Sequence, residues 1–136
     1  MASAKKGQTD NDERISPYSD EELEYFREII EKKREEAQTE LESLQSSLRD
    51  SMENANDESA YSFHMADAGT DAQEREKTYM LFNRTKKFLR YLDGALTRID
   101  NKTYGICKVT GKKIAKGRLE AVPHTQLSIE AKLKRR

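Results

Sequence analysis

Apolar residues in this chain recur at threes and fours over two long stretches. In the first, Leu23, Phe26, Ile30, Ala37, Leu41, Leu44, Leu48 and Ala55 follow one another at helical spacing, with no Gly or Pro across residues 20–55. Side chains three and four apart share one face of a helix, so the pattern predicts a long helix with a single apolar stripe. Ser19 precedes it and Glu22 stands three residues on, the arrangement in which a hydroxyl and a carboxylate satisfy each other's free amides at a helix start. At about 1.5 Å per residue such a helix would be roughly 54 Å long. A chain of 136 residues cannot enclose it, so it must pair with another helix.

The second stretch supplies that partner. Tyr79, Phe82, Leu89, Leu92, Leu96 and Ile99 hold an apolar seam as far as about Asn101, preceded by Thr70 and Gln73 in a second capping pattern. Phe82, Leu89 and Leu96 fall seven apart, as do Leu92 and Ile99, which is the repeat of a coiled-coil seam. Gly94 is its one weak position, about 1 kcal/mol worse than Ala in a helix interior. The expected fold is mainly α, with a long antiparallel coiled-coil hairpin over residues 17–101. Its tip loop lies near residues 56–70, rich in Asn, Asp, Ser and Gly, and carries Tyr61, Phe63 and Met65. Those three either staple the loop to the hairpin end or meet a partner. Residues 1–16 are polar and aperiodic and read as disordered.

Composition narrows the class. Charged residues make up 37% of the chain and apolar ones 35%, which suits solvated helices that bury a stripe rather than a large core. No stretch approaches the roughly 18 apolar residues of a membrane span, and residues 1–14 have no apolar segment of the kind a secretory signal needs. The single cysteine, Cys107, cannot form an intrachain disulfide and fits a reducing, cytoplasmic setting. Net charge is zero but lopsided: residues 102–136 hold ten Lys and Arg against Glu120 and Glu130. An acidic arm joined to a basic head points to a partner presenting both signs, and away from a nonspecific nucleic-acid coat.

Residues 102–136 form a separate C-terminal head ending in a short helix. They contain Tyr104-Gly105-Ile106-Cys107, then Thr110-Gly111 and Ile114, then Arg118-Leu119-Glu120-Ala121 and Pro123. In this order the motifs resemble those of the TraR/DksA family of RNA polymerase-binding transcription regulators, whose head is a four-cysteine zinc finger. The resemblance extends over roughly residues 20–136. At the family's ligand spacing this chain has Cys107, Thr110, Ser128 and Ala131, so the ligand set is degenerate. Structural zinc takes four ligands, typically thiolate or imidazole, and Cys107 even with His124 falls short. The head is therefore expected to hold no zinc or other cofactor and to be packed by Ile106, Val109, Ile114, Leu119, Val122, Leu127, Ile129 and Leu133. Cys107 then reads as a small buried hydrophobe.

The resemblance implies a non-enzymatic regulator that binds RNA polymerase and inserts its hairpin tip into the secondary channel to modulate initiation. Family tips carry paired acids, which places Asp67 and Asp71 near the polymerase active centre, with Thr70 where the second acid would stand. Acids near a helix start also favour the positive end of its dipole, so both readings stand for this pair. Phe63, Met65, Arg118 and Lys132 are assigned as partner contacts; the run from Lys132 to Arg136 reads either as a solvated tail or as a contact for an acidic polymerase surface. Some relatives bind guanosine tetraphosphate through basic positions that correspond here to Tyr91, Val122 and Lys132. Two of these have lost their charge, which leaves an alarmone response without most of its phosphate partners. No sequence-specific DNA contact is expected. The competing readings are a transcript-cleavage factor whose tip acids hold a second magnesium, and a coiled-coil scaffold.

Overall fold

The computed structural model describes residues 16–56 and 68–134, with side chains over 16–53 and 72–134. Among them are α1 (Asp20–Asn56), α2 (Ala68–Asp100), α3 (Lys116–Ala121) and α4 (Ile129–Lys134), and no strand longer than the single bridge Ile106–Lys113. No described helix is long and apolar enough to cross a membrane. The chain divides into two compact units. A terminal unit takes the residues up to Arg34 and those from Tyr91 onward, and a mid-chain unit takes Glu35–Arg90.

The start of α1 is the predicted capping box. The Ser19 N–H donates to Glu22 Oε1 at 2.9 Å and the Glu22 N–H to Ser19 Oγ at 3.1 Å. The Ser19 backbone N–H is also what chiefly holds the Glu22 carboxyl below its ordinary range. α2 begins at Ala68, so Thr70 lies inside its first turn rather than ahead of it. Its end is a tight reversal: the Thr103 N–H reaches back to the Arg98 carbonyl at 2.9 Å, and Lys102 takes the left-handed conformation with φ of 62°.

In the terminal unit α1 and α2 run antiparallel, and charged side chains mark the register. Arg27 pairs with Asp100 and, seven residues on, Arg34 with Asp93 seven residues back, its Nε 2.5 Å from the carboxylate. Lys102 adds a third pair with Asp20 at 2.6 Å. Beneath them Leu23, Phe26, Ile30, Leu92, Ala95 and Ile99 are buried. Phe26 is the hub, with the rings of Tyr18, Tyr25 and Tyr104 each 5.3 Å from it. The chain ahead of α1 belongs to this core. Ser16, expected within an unstructured terminus, is buried and donates its N–H to the Lys102 carbonyl at 2.8 Å.

The mid-chain unit buries much less. Only Ala37, Thr85 and Leu89 are fully covered there among the described residues, while Leu41, Leu44, Leu48 and Phe82 are half-buried. The Thr85 hydroxyl donates to Glu40 at 3.4 Å, and Lys86 lies 5.5 Å over the Phe82 ring. Tyr79, assigned to the seam from its spacing, is instead 58% exposed. Counting back from Leu92 by sevens gives Thr85 and Thr78, so Tyr79 falls one residue off the apolar line.

Candidate functional site

The head is built on a small hairpin of the kind that brings two ligand positions together. Cys107 donates its N–H to the Lys112 carbonyl at 2.8 Å, the Gly111 N–H returns to the Cys107 carbonyl at 2.8 Å, and the Ile114 N–H reaches the Gly105 carbonyl at 2.8 Å. This turn directs the Thr110 N–H at the Cys107 sulfur, 3.4 Å away. The second pair of positions opens α4, where the Ser128 hydroxyl accepts the Ala131 N–H at 3.1 Å. A further bond, from the Lys108 N–H to the Gln126 carbonyl at 2.9 Å, ties the two segments together.

All four positions of the family's ligand set thus converge, but their chemistry is that of a hydrogen-bonded cluster. Cys107 is fully buried and Ala131 is 1% exposed. Burial alone would raise the Cys107 thiol. The Ser128 N–H, the Thr110 hydroxyl and N–H and the Ser128 hydroxyl all favour the thiolate, and together they bring it from an ordinary value of 9.0 down to about 6. One sulfur, two hydroxyls and a methyl group do not fit a four-coordinate zinc ion. Among the described residues no three His, Cys, Asp or Glu side chains gather where a metal could be held.

Other residues of the head's motifs serve the fold. The Tyr104 hydroxyl donates to the Pro123 carbonyl at 2.7 Å and is pushed well up by burial. Arg118, assigned as a partner contact, spends its Nε on the Leu127 carbonyl at 3.2 Å and one Nη on Thr125 Oγ1 at 3.4 Å, so it pins the loop ahead of α4. Lys132 is exposed on α4. Of the eight apolar residues expected to pack the head, Ile114 and Leu119 are fully buried and Ile106, Val122 and Leu127 half-buried. Val109, Ile129 and Leu133 are 60%, 56% and 58% exposed. Tyr18 and Tyr104, which the apolar pattern did not assign to the core, are buried instead.

Tyr18 is the residue that spacing did not reveal. Its ring lies against Gly105, where a Cβ would stand 2.7 Å from two ring carbons, and Gly105 has φ of 88°, a conformation side chains disfavour. The Tyr18 hydroxyl donates to the Ile114 carbonyl, and Lys113 Nζ sits 4.8 Å from the ring centroid. On the neighbouring face Tyr25 donates to Glu120 at 2.7 Å, with Lys116 Nζ 5.2 Å from its ring. The pairing Tyr18–Gly105 could have been sought only as an aromatic next to a glycine, a signal too common to single out.

The tip assignments fare differently. Asp67, Phe63 and Met65 lie outside the described residues, and so do the side chains of Thr70 and Asp71, whose backbone is in the first turn of α2. The three positions matched to alarmone contacts all fall in the terminal unit. Tyr91 stacks on the His124 ring at 5.7 Å and 4°, Val122 is half-buried and Lys132 exposed. Burial, with Arg98 beside it, holds the His124 imidazole below its usual range, which favours the uncharged ring in this stack.

A paired-helix hairpin carrying a finger-like head with its metal ligands substituted defines the class. Residues 102–135 match the model of the prokaryotic dksA/traR C4-type zinc finger. The chain is 32% identical over 113 residues to the RNA polymerase-binding transcription factor DksA of Caulobacter vibrioides, covering 83% of this chain and 75% of that protein. It is 46% identical over 65 residues to YteA of Bacillus subtilis, an overlap of 48% of this chain and 27% of YteA. Transcription factor DksA2 from Pseudomonas aeruginosa superposes with a TM-score of 0.72 at 31% identity, over 83% of this chain and 81% of that structure. The chain belongs to the TraR/DksA family.

Proposed function

We propose that this protein is a non-enzymatic transcription regulator that binds RNA polymerase and acts through its hairpin tip in the secondary channel. The observation carrying this reading is the extent of the match to the polymerase-binding DksA of Caulobacter vibrioides. It runs over 83% of the chain, more than the head alone provides, so hairpin and head are shared together. Asp67 and Asp71, with Thr70, stand between and at the start of the paired helices, where carboxylates could alter the field at a catalytic magnesium without forming a site of their own. Phe63 and Met65 are the apolar candidates beside them, and Lys132 is the exposed head cation of the set.

The test separates binding from action. The double variant Asp67→Asn, Asp71→Asn removes two charges with little change of shape, and Asn caps helices as well as Asp. It should be retained by cognate core polymerase like the parent, yet lose most of the effect on open-complex lifetime. If the parent fails to bind core polymerase, the reading falls entirely. If the variant binds and regulates as the parent does, the acids are helix caps only. Cleavage of transcripts in backtracked complexes, lost in the same variant, would instead favour the transcript-cleavage alternative.

A further inference from the structure

We propose that the head closes without metal, its four family ligand positions converted into a hydrogen-bonded knot around the Cys107 sulfur on a backbone that still has metal-binding geometry. Two observations carry this independently of what the protein does.

The first is how completely the donors are committed. Each hydroxyl bridges: Thr110 Oγ1 accepts the Lys112 N–H at 3.2 Å and Ser128 Oγ accepts the Ala131 N–H at 3.1 Å, while both hydroxyls also interact with Cys107. The polar atoms at the four positions therefore satisfy one another around a buried sulfur, the two hydroxyls being half-buried, and the Ala131 side chain adds a buried methyl with no polar demand. A zinc ion there would have to displace these bonds, in return for one thiolate and two poorly donating hydroxyls. The sulfur supplies what the metal would otherwise supply, a common acceptor that holds the two halves of the head together.

The second is the backbone. The turn from Cys107 to Gly111 aims an amide at the sulfur as a cysteine knuckle does, Gly111 takes φ of 73° at its corner, and Ser128 and Ala131 occupy the first turn of α4 and the residue ahead of it at the spacing of a C-x2-C pair. Each pair thus keeps the spacing of a C-x2-C pair on a turn or at a helix start.

The test uses the full chain. The parent, purified without chelator, should contain well under one zinc per chain by elemental analysis, and chelator should leave its melting midpoint in place because no metal binding is coupled to folding. One equivalent of zinc released on unfolding would overturn the proposal. The triple variant Thr110→Cys, Ser128→Cys, Ala131→Cys should take up one cobalt per chain with the visible bands of a tetrahedral thiolate site. Zinc should then raise its midpoint. A triple variant that is helical but binds no cobalt, or that stays unfolded with metal present, would refute the retained geometry. One that folds only when metal is added would support it. The role of the sulfur is read from Cys107→Ser and Cys107→Ala. Serine keeps an acceptor and should lower the midpoint less than alanine, which strands buried donors and should cost several degrees. Equal midpoints for the two would show that the sulfur only fills space.

Discussion

Phe26 and Leu44 sit on the same helix and belong to the same apolar stripe, yet their surroundings differ sharply. Phe26 is fully buried, ringed by Tyr18, Tyr25 and Tyr104, whereas Leu44 is half-buried in a unit with three fully covered side chains among those described. The stripe is continuous in sequence; burial is not. What differs is the number of elements that can contribute. The terminal unit adds α3, α4 and the residues just ahead of α1 to the paired helices, while the described residues of the mid-chain unit belong to the two helices alone. Two helices can shield a seam from one side each, and the flanks of that seam stay wet.

This contrast is open to direct attack by substitution, with thermal or denaturant unfolding of the full chain as the readout. The largest effect is expected from Phe26→Ala, which leaves a cavity among three aromatic rings and should cost about 3–5 kcal/mol. Leu44→Ala should cost about 1 kcal/mol, since part of the side chain already meets water. Equal losses for the two would erase the distinction between the units.

Gly105→Ala comes next. The added methyl meets the Tyr18 ring at 2.7 Å, and that ring is held by its hydroxyl bond to Ile114 and by Phe26, so it cannot step aside freely. Left-handed strain of about 1–2 kcal/mol adds to the overpacking. A total near 2–4 kcal/mol is expected, and Tyr18→Leu in the same background should recover part of it. A neutral Gly105→Ala would mean that the tyrosine is not seated there.

The smallest effect belongs to the charges. Arg34 and Asp93 have side chains 42% and 52% exposed, so Asp93→Asn should cost less than about 1 kcal/mol and vanish in high salt. A larger loss would make the ion pairs, rather than the buried seam, the main link between α1 and α2 in the terminal unit.

The sequence was most readable where local chemistry and periodicity agree. Ser19 and Glu22 form their reciprocal cap, α1 spans the stripe, and α2 ends one residue before the expected Asn101. The pairs Cys107–Thr110 and Ser128–Ala131 are each joined by a hydrogen bond, as spacing within a turn and a helix start allows. The head's packing was not readable. Val109, Ile129 and Leu133 looked like core by type alone, but Val109 lies in a turn, and the six-residue helix that carries the other two has too few turns for a periodic face to show. Tyr18 escaped for the opposite reason: its partners, Gly105 and Ile114, lie far along the chain, and no local pattern announces a contact of that range. Arg118 looked like a surface cation, yet its fork fits two acceptors of its own loop.

That range has a consequence for how the chain is made. The Tyr18 hydroxyl bond to Ile114 spans 96 residues, so a chain leaving the ribosome exposes Tyr18 and Phe26 long before Tyr104, Ile114 and Leu119 exist to cover them. Helical turns form in about a microsecond, but closing so long a loop must wait for synthesis at roughly 5–20 residues per second. For several seconds, by that rate, the most apolar part of α1 has no partner. Truncations that remove the head should therefore leave α1 with an exposed aromatic cluster, because the residues that cover it are made long after it.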